Sequence, residues 1–328
     1  MRAWIIRALL TWMGIAGAAS TVEAYQEPIV RPGPLCIYYG WPSYVNGSQG
    51  DAAAAATQFA GCEVLVLGDG IEHPDHGDHQ NAQLIINQVR GAGKQVFGYV
   101  DLGVSTQNLR VDQMQQYVDE WQRMGVSGIF FDDAGFDYKV TRLRQNIMLD
   151  HVHARGLNAI MNAWMIDDVL GELDETGQQQ PSRMIAGDWY LAESWLVGGG
   201  SYLSIADWAA KADKALAYAR AKGIRIAAVS TAGVNKALST DSASDKFKMA
   251  WWAAAMYGLH AWQWTDASYS SGNNTLRLYN TGRFRYGTTY TQEAVTHSPD
   301  ATVHSRRTNA GTITVTGNGS RRGTGSFR

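Results

Sequence analysis

The chain has 328 residues, of which 45% are hydrophobic and 18% charged, and its formal net charge is -2. That length buries a sizeable core in one large domain or two smaller ones, and the near-neutral balance excludes the dense positive surface that binds nucleic-acid phosphates. Twelve Trp and fifteen Tyr exceed what a core of this size needs, and flat apolar faces with a polar edge are surfaces on which sugar rings stack.

Residues 1–24 place Arg2 and Arg7 ahead of an apolar stretch and close on Val22, Glu23 and Ala24. That is the order of a secretory signal cut after Ala24. An uncleaved anchor is the alternative, although the run is shorter than the roughly 20 residues a spanning helix needs. No later segment is long and apolar enough to span a membrane, so the mature chain is expected to be secreted or held at the cell surface, with no membrane span. Export implies an oxidising compartment. Cys36 and Cys62, the only cysteines, fall near the starts of the first two expected strands, where a disulfide or two separate buried thiols both fit.

Between residues 35 and 266 one theme recurs eight times: a β-rich apolar run, a polar or Gly-containing loop, then a helical stretch. The runs begin at Leu35, Cys62, Gln95, Gly128, Leu157, Trp189, Ile224 and Leu259, spaced by roughly thirty residues, the size of a β-α unit. Between them "NAQLIINQVRGAG" and "VDQMQQYVDEWQRMG" carry apolar residues on one helical face, the second ending on Gly125. "LSIADWAAKADKALAYARAKG" starts behind a Ser cap and stops at Gly223. Eight such units predict an α/β fold, a (β/α)8 TIM barrel over residues 30–270. A doubly wound sheet fits less well, since no Gly-x-Gly-x-x-Gly turn follows the first strand. Residues 271–328 are rich in Ser, Thr, Gly and Arg and read as an irregular or β-rich extension, partly ordered or an attachment tail, in which "TITVTG" alternates as an edge strand would.

Barrel enzymes carry their chemistry at the carboxyl ends of the strands. In that register Asp69 follows strand two, Asp101 closes strand three, and Asp132, Asp133 and Asp137 follow strand four. Glu193 sits late in strand six and Asp266 ends strand eight. Like charges that close raise one another's pKa and cost stability, so such a rim reads as a site; for Asp69 and Asp137 helix capping is an equal reading. Two carboxylates across a barrel mouth are the minimum equipment for glycosidic hydrolysis, and Asp132 or Asp133 with Glu193 is the best-placed pair. Strand alternation sends the adjacent aspartates to opposite sides, and Asp132 is favoured. Tyr38, Asn162, Asp69, Asp101 and Asp266 are candidate substrate contacts. Trp41, Trp164, Trp195 and Trp264 lie near strand ends as candidate stacking surfaces, each with core packing as its plainer reading. "IEHPDHGDHQ" adds His73, His76 and His79 as weak metal candidates, in a spacing that matches no strong motif. Neither a Gly-x-Ser-x-Gly elbow nor a P-loop occurs, so acyl-hydrolase and nucleotide chemistry have no support and no cofactor is expected.

"VFGYVDLGVST" followed by a helix and "WQRMGVSGIFFDDAGFDY" resembles the spherulin-4-like proteins and the related endo-α-1,4-polygalactosaminidase family of barrel glycosidases, as does the opening "IYYGWPSYVN". The resemblance covers about residues 35–266. It implies that Asp132 is the family's strand-four acid and that Glu193 in "LAESWL" is its strand-six glutamate. Asp133 stands where spherulin-like members often carry Glu, and the His-rich strand-two loop also departs from the family pattern. The implied activity is cleavage of galactosamine-containing polymers, and an acidic cleft suits such cationic chains. The expectation is a secreted glycoside hydrolase acting on an extracellular polysaccharide, with Asp132 as nucleophile or base and Glu193 as general acid. The alternatives are a non-catalytic surface or assembly protein on the same barrel, self-associating or attaching through its tail, and a metal-dependent polysaccharide hydrolase.

Overall fold

The computed structural model describes residues 25–233, 244–266, 269–279 and 284–328. The signal expected over residues 1–24 lies outside them, and among the described residues no helix is long and apolar enough to cross a membrane. Eight parallel strands close into a barrel: β1 (Gly33–Tyr38), β2 (Val64–Leu67), β3 (Gln95–Asp101), β4 (Gly128–Asp132), β5 (Asn158–Asn162), β6 (Trp189–Ala192), β7 (Arg225–Thr231) and β8 (Ala261–Thr265). Each pairs with its sequence neighbour, and β8 pairs with β1.

Alternation divides these strands into two layers. Leu35, Ile37, Val66, Phe97, Phe130, Ile160 and Trp189 fill the lumen. The intervening residues face the helices α1 (Ala52–Phe59), α2 (His79–Gly91), α3 (Val111–Met124), α4 (Arg142–His153), α5 (Asp167–Leu170), α6 (Ile205–Lys222) and α7 (Asp245–Tyr257). Helix ends follow the local chemistry. Asp51 and Thr141 cap α1 and α4 by accepting backbone N–H bonds, and Ser204 does the same for α6. Gly125 and Gly223 end α3 and α6 with φ of 89° and 68°, a conformation glycine adopts without a Cβ clash. Cys36 and Cys62 are bridged, with Cα atoms 5.9 Å apart, tying β1 to the start of β2.

The last unit departs from the repeat. No helix follows β8 among the described residues; instead an antiparallel sheet covers α7. Its strands are β9 (Thr289–Tyr290), β10 (Thr296–His297), β11 (Val303–Thr308), β12 (Gly311–Asn318) and β13 (Arg322–Phe327), and Glu27–Pro28 pairs with β9. "TITVTG", expected at an edge, lies inside, since β12 is flanked by β11 and β13. Its apolar Ile313 and Val315 are buried, which an edge reading from local alternation alone does not reveal. Sandwiched between barrel and sheet, α7 is apolar nearly all round. The glycines of this segment are what let it pack: a Cβ on Gly325 would lie 2.6 Å from Trp252 Cβ.

Arg306 of β11, 0% exposed, fastens this sheet. It donates to the carbonyls of Gln292 (3.0 Å) and Met256 (3.2 Å) and to Glu27, and its guanidinium lies 3.5 Å from the Tyr290 ring centroid. Asp213 of α6 adds a second tie, accepting from Tyr257 (2.6 Å) and pairing with His297 (2.8 Å). Removing Arg306 leaves the Gln292 and Met256 carbonyls without that donor, while Glu27 keeps Arg220 and Tyr25, and unsatisfied buried groups of this kind cost about 1–3 kcal/mol. Arg306→Ala is therefore expected to lower unfolding free energy in urea by about that amount. Arg306→Lys should not rescue it, because a point ammonium cannot serve three divergent acceptors.

Candidate active site

The carboxyl ends of β3 to β6 bring three of the expected residues into direct contact. Asp132 continues the inward series begun by Phe130 and sits opposite Asp101 in the register of β3 and β4. Asn162 closes β5 on the same inward face. Its Nδ2 donates to Asp132 Oδ1 at 2.6 Å and to Glu193 Oε1 at 2.9 Å. One amide nitrogen thus joins two carboxylates, so those two oxygens lie no farther apart than the two bonds laid end to end. Asp132 Oδ1 also accepts the Asp133 N–H at 3.0 Å.

The strand carrying Glu193 is shorter than its apolar run suggests. It ends at Ala192, and Glu193 leads into a tight turn in which Ser194 and Leu196 hold φ of 53° and 61° before a small hairpin of Val197–Gly198 with Ser201–Tyr202. Positive φ at two such residues is strained, and here it directly follows the acid.

Burial, then the Asp133 charge, pushes the Asp132 carboxyl up to about 7; the Asn162 hydrogen bond opposes this, and the Glu193 charge adds to it. Asp133 lies just past β4 in the left-handed region, φ 50°. It too is raised, by burial and then by Asp101, while the Tyr138 and Thr106 hydroxyls act in the opposite direction. Asp101, buried, is raised by burial and held by Gly103 N (2.7 Å) and Thr106 Oγ1 (2.7 Å). Asp69 is exposed on the rim, where Gln107 donates to it at 2.9 Å, and no helix starts there. Asp266 follows β8 and its charge acts on Tyr269.

Several expected contacts point elsewhere. Tyr38 faces the helices, packing edge-on against Phe59 with its hydroxyl on the Trp41 carbonyl. Its neighbour Tyr39 follows Ile37 into the mouth, 5.4 Å from Tyr99 and 5.8 Å from Tyr269 between ring centroids. Burial, and then Asp132, holds the Tyr39 phenol well above its ordinary pKa. Trp264, 5% exposed, packs outward on Phe247 while Gln263 takes the inward position. Trp195, 2% exposed, is turned by the Glu193 loop onto Trp208 and Tyr257. Trp164 remains 54% exposed at the rim. Trp41 packs on Tyr44 and His76. The three histidines are held apart: His73 pairs with Glu120 (2.6 Å), His76 accepts from Asp78 N, and His79 meets the Ile71 carbonyl. Among the described residues no group of three or more His, Cys, Asp or Glu is arranged to hold a metal ion.

Strand alternation, applied one residue at a time, was the signal that identifies Tyr39 over Tyr38 and rejects Trp264. The same alternation marks Tyr99, two residues past Phe97 on β3, but no comparable local signal marks Tyr269 or Lys211, whose approach to the acids depends on elements distant in sequence.

No family model matches the chain, and no curated protein matches it. Among solved structures, the glycoside hydrolase domain of PelA from Pseudomonas aeruginosa is similar at 14% identity, covering 75% of this chain and 100% of that one with a TM-score of 0.44. A glucosidase from Croceicoccus marinus is similar at 10% identity, covering 90% and 77% with a TM-score of 0.48. The carboxyl transferase domain of Rhizobium etli pyruvate carboxylase is similar at 13% identity over 39% and 22%, with a TM-score of 0.30. The closed barrel itself is established by its strand pairing.

The raised Asp132 pKa has a consequence for stability. The folded state keeps this proton up to about pH 7, whereas the unfolded chain loses it near pH 4, so this group subtracts stability as pH rises through that window. Asp132→Asn removes the cost while keeping an acceptor for Asn162. Its melting temperature is expected to exceed that of the parent at pH 8, by an amount that shrinks towards zero at pH 4, as read by calorimetry across pH.

Proposed function

We propose that this protein is a secreted glycoside hydrolase that cleaves an extracellular, galactosamine-containing polysaccharide internally by a two-carboxylate mechanism. The observation that carries the reading is the shared Asn162 amide, which holds Asp132 and Glu193 side by side at the carboxyl rim of the barrel. Carboxyl groups about 5–5.5 Å apart suit direct attack, whereas inverting enzymes leave room for a water at roughly 6.5–9.5 Å. The pair therefore favours retention. The resemblance to spherulin-4-like proteins and polygalactosaminidases supports the substrate class, and the acids Asp69, Asp101 and Asp133 on one side of the mouth suit a cationic amino sugar. The sequence of residues 1–24 and the Cys36–Cys62 bridge support export.

In this reading Asp132 is the nucleophile. Its Oδ1 is occupied by two donors, which leaves Oδ2 to form a bond to the anomeric carbon as the glycosidic C–O bond breaks. Glu193 gives its proton to the departing oxygen. Its carboxylate then takes a proton from water, whose oxygen attacks the anomeric carbon and releases Asp132. Asn162 fixes the distance between the two acids, and Tyr39 and Trp164 bound the cleft.

Incubation with galactosamine-, glucosamine- and galactose-containing polymers, with new reducing ends as the readout, tests the proposal. Asp132→Asn and Glu193→Gln should each lower kcat by at least about a thousandfold with the fold intact, and the first-formed product should keep its anomeric configuration. Full activity in either variant would remove the assignment. Because the mechanism needs one proton on the Asp132–Glu193 pair, kcat/KM should fall as pH rises through about 7, where that proton is lost. Asp133→Asn, which removes the charge that raises Asp132, should move that limb to lower pH by roughly one unit; an unmoved limb would assign it to another group.

A further inference from the structure

Beside Glu193 a cavity of about 470 Å³ opens between the N-terminal half of α6 and the loops after β5 and β6. That volume falls within the roughly 300–1,000 Å³ of small-ligand sites. Its walls are mostly apolar, with Trp164, Met165 and Leu203 among them, and Trp164 and Met165 are 54% and 51% exposed. Two exposed large apolar side chains in succession leave a surface that a bound group would cover.

The cavity also contains a cation. Lys211 of α6 lines it together with the acids Glu193 and Asp207, and its ammonium stands 4.4 Å from the centroid of the Trp164 ring. Lys214, one turn along, is neutralised by Asp167 at 2.6 Å. Lys211 has no such partner: among the described residues no carboxylate comes within ion-pair distance of it. Burial lowers its pKa, and the charges of Glu193 and Asp137 act in the opposite direction. The mouth is thus acidic on both sides, with Asp69, Asp101, Asp132 and Asp133 on the side of β2 to β4 and Glu193 and Asp207 on the side of β6, and Lys211 stands beside the latter two.

We infer that this cavity is the subsite for the departing sugar and that it selects an acidic one, the ammonium of Lys211 pairing with a uronate-type carboxylate while the less polar face of the ring covers Met165 and Leu203. The inference rests on the reading of Glu193 as the proton donor, because the leaving group departs on the side of that acid. A neutral sugar would leave Lys211 partly desolvated without an anion, and an amino sugar would meet repulsion. A compact inorganic anion would leave the apolar wall uncovered.

The test is titration of the methyl glycosides of a hexuronic acid, the matching neutral hexose and the matching hexosamine into the full chain, followed by NMR at pH 6.5. The uronoside should bind roughly tenfold more tightly than the neutral glycoside, the size of one charge-assisted contact, and its advantage should fall with added salt. Lys211→Met should bring uronoside affinity down to that of the neutral glycoside, and Lys211→Arg should retain the advantage. Equal affinity for uronoside and neutral glycoside, or a preference that survives Lys211→Met, would overturn the inference. So would a shift in the pH–rate profile of Lys211→Met with the preference intact, because Lys211 would then be tuning Glu193. Full activity in Asp132→Asn or Glu193→Gln would instead overturn the reading of the site, whatever the titration shows.

Discussion

Two carboxylates that converge on one amide set the terms for the rest of this molecule. Asp132 and Glu193 repel each other, and burial deprives Asp132 of the water that would screen it. Asn162 and the Asp133 N–H supply hydrogen bonds to the charged forms, but the carboxyl of Asp132 still sits near 7. A site arranged this way subtracts from stability at neutral pH and must be offset by the scaffold. The doubly layered barrel core, the Cys36–Cys62 bridge and the buried Arg306 contribute that offset.

The way the barrel is finished follows from the same need for rigidity. Where a further helix would complete the repeat, an antiparallel sheet packs on α7 and takes in Glu27–Pro28 from the start of the described chain. Arg306 and Asp213 connect that sheet to α6 and α7. These are the helices that flank β7 and carry Lys211, so the wall of the cavity beside Glu193 is braced from behind. Trp195 and Trp208, packed edge to face between them, belong to this bracing layer and also back the wall of that cavity.

Charge around the mouth is unevenly distributed although the chain as a whole is nearly neutral. Acids gather after β2, β3 and β4 and again after β6 at Glu193, and the cation of Lys211 stands beside the last of these. In a cleft with low-dielectric walls, a lone cation among acids sets the sign of charge that a bound group can carry at each point more than it adds affinity.

Much of the barrel was legible in the sequence, because strand alternation and helix caps are local. Eight apolar runs at even spacing, Ser204 and Gly223 around α6, and the inward parity of Asp132 all follow from neighbours within a few residues. The same parity, read strictly, also selects Tyr39 over Tyr38. Local pattern could not decide where β6 stops, since the turn at Ser194 and Leu196 is held by contacts such as Trp195 N to the Val229 carbonyl, 34 residues on. Nor could it show that a Gly- and Ser-rich segment becomes an interior strand and its neighbours, because the glycines matter only once α7 lies against them. The sequence alone determined which residues could carry charge to one rim. Only the tertiary structure decided that Asn162 joins two of them and that Lys211 faces them, because those contacts exist only when strands and helices distant in the chain close on a common axis.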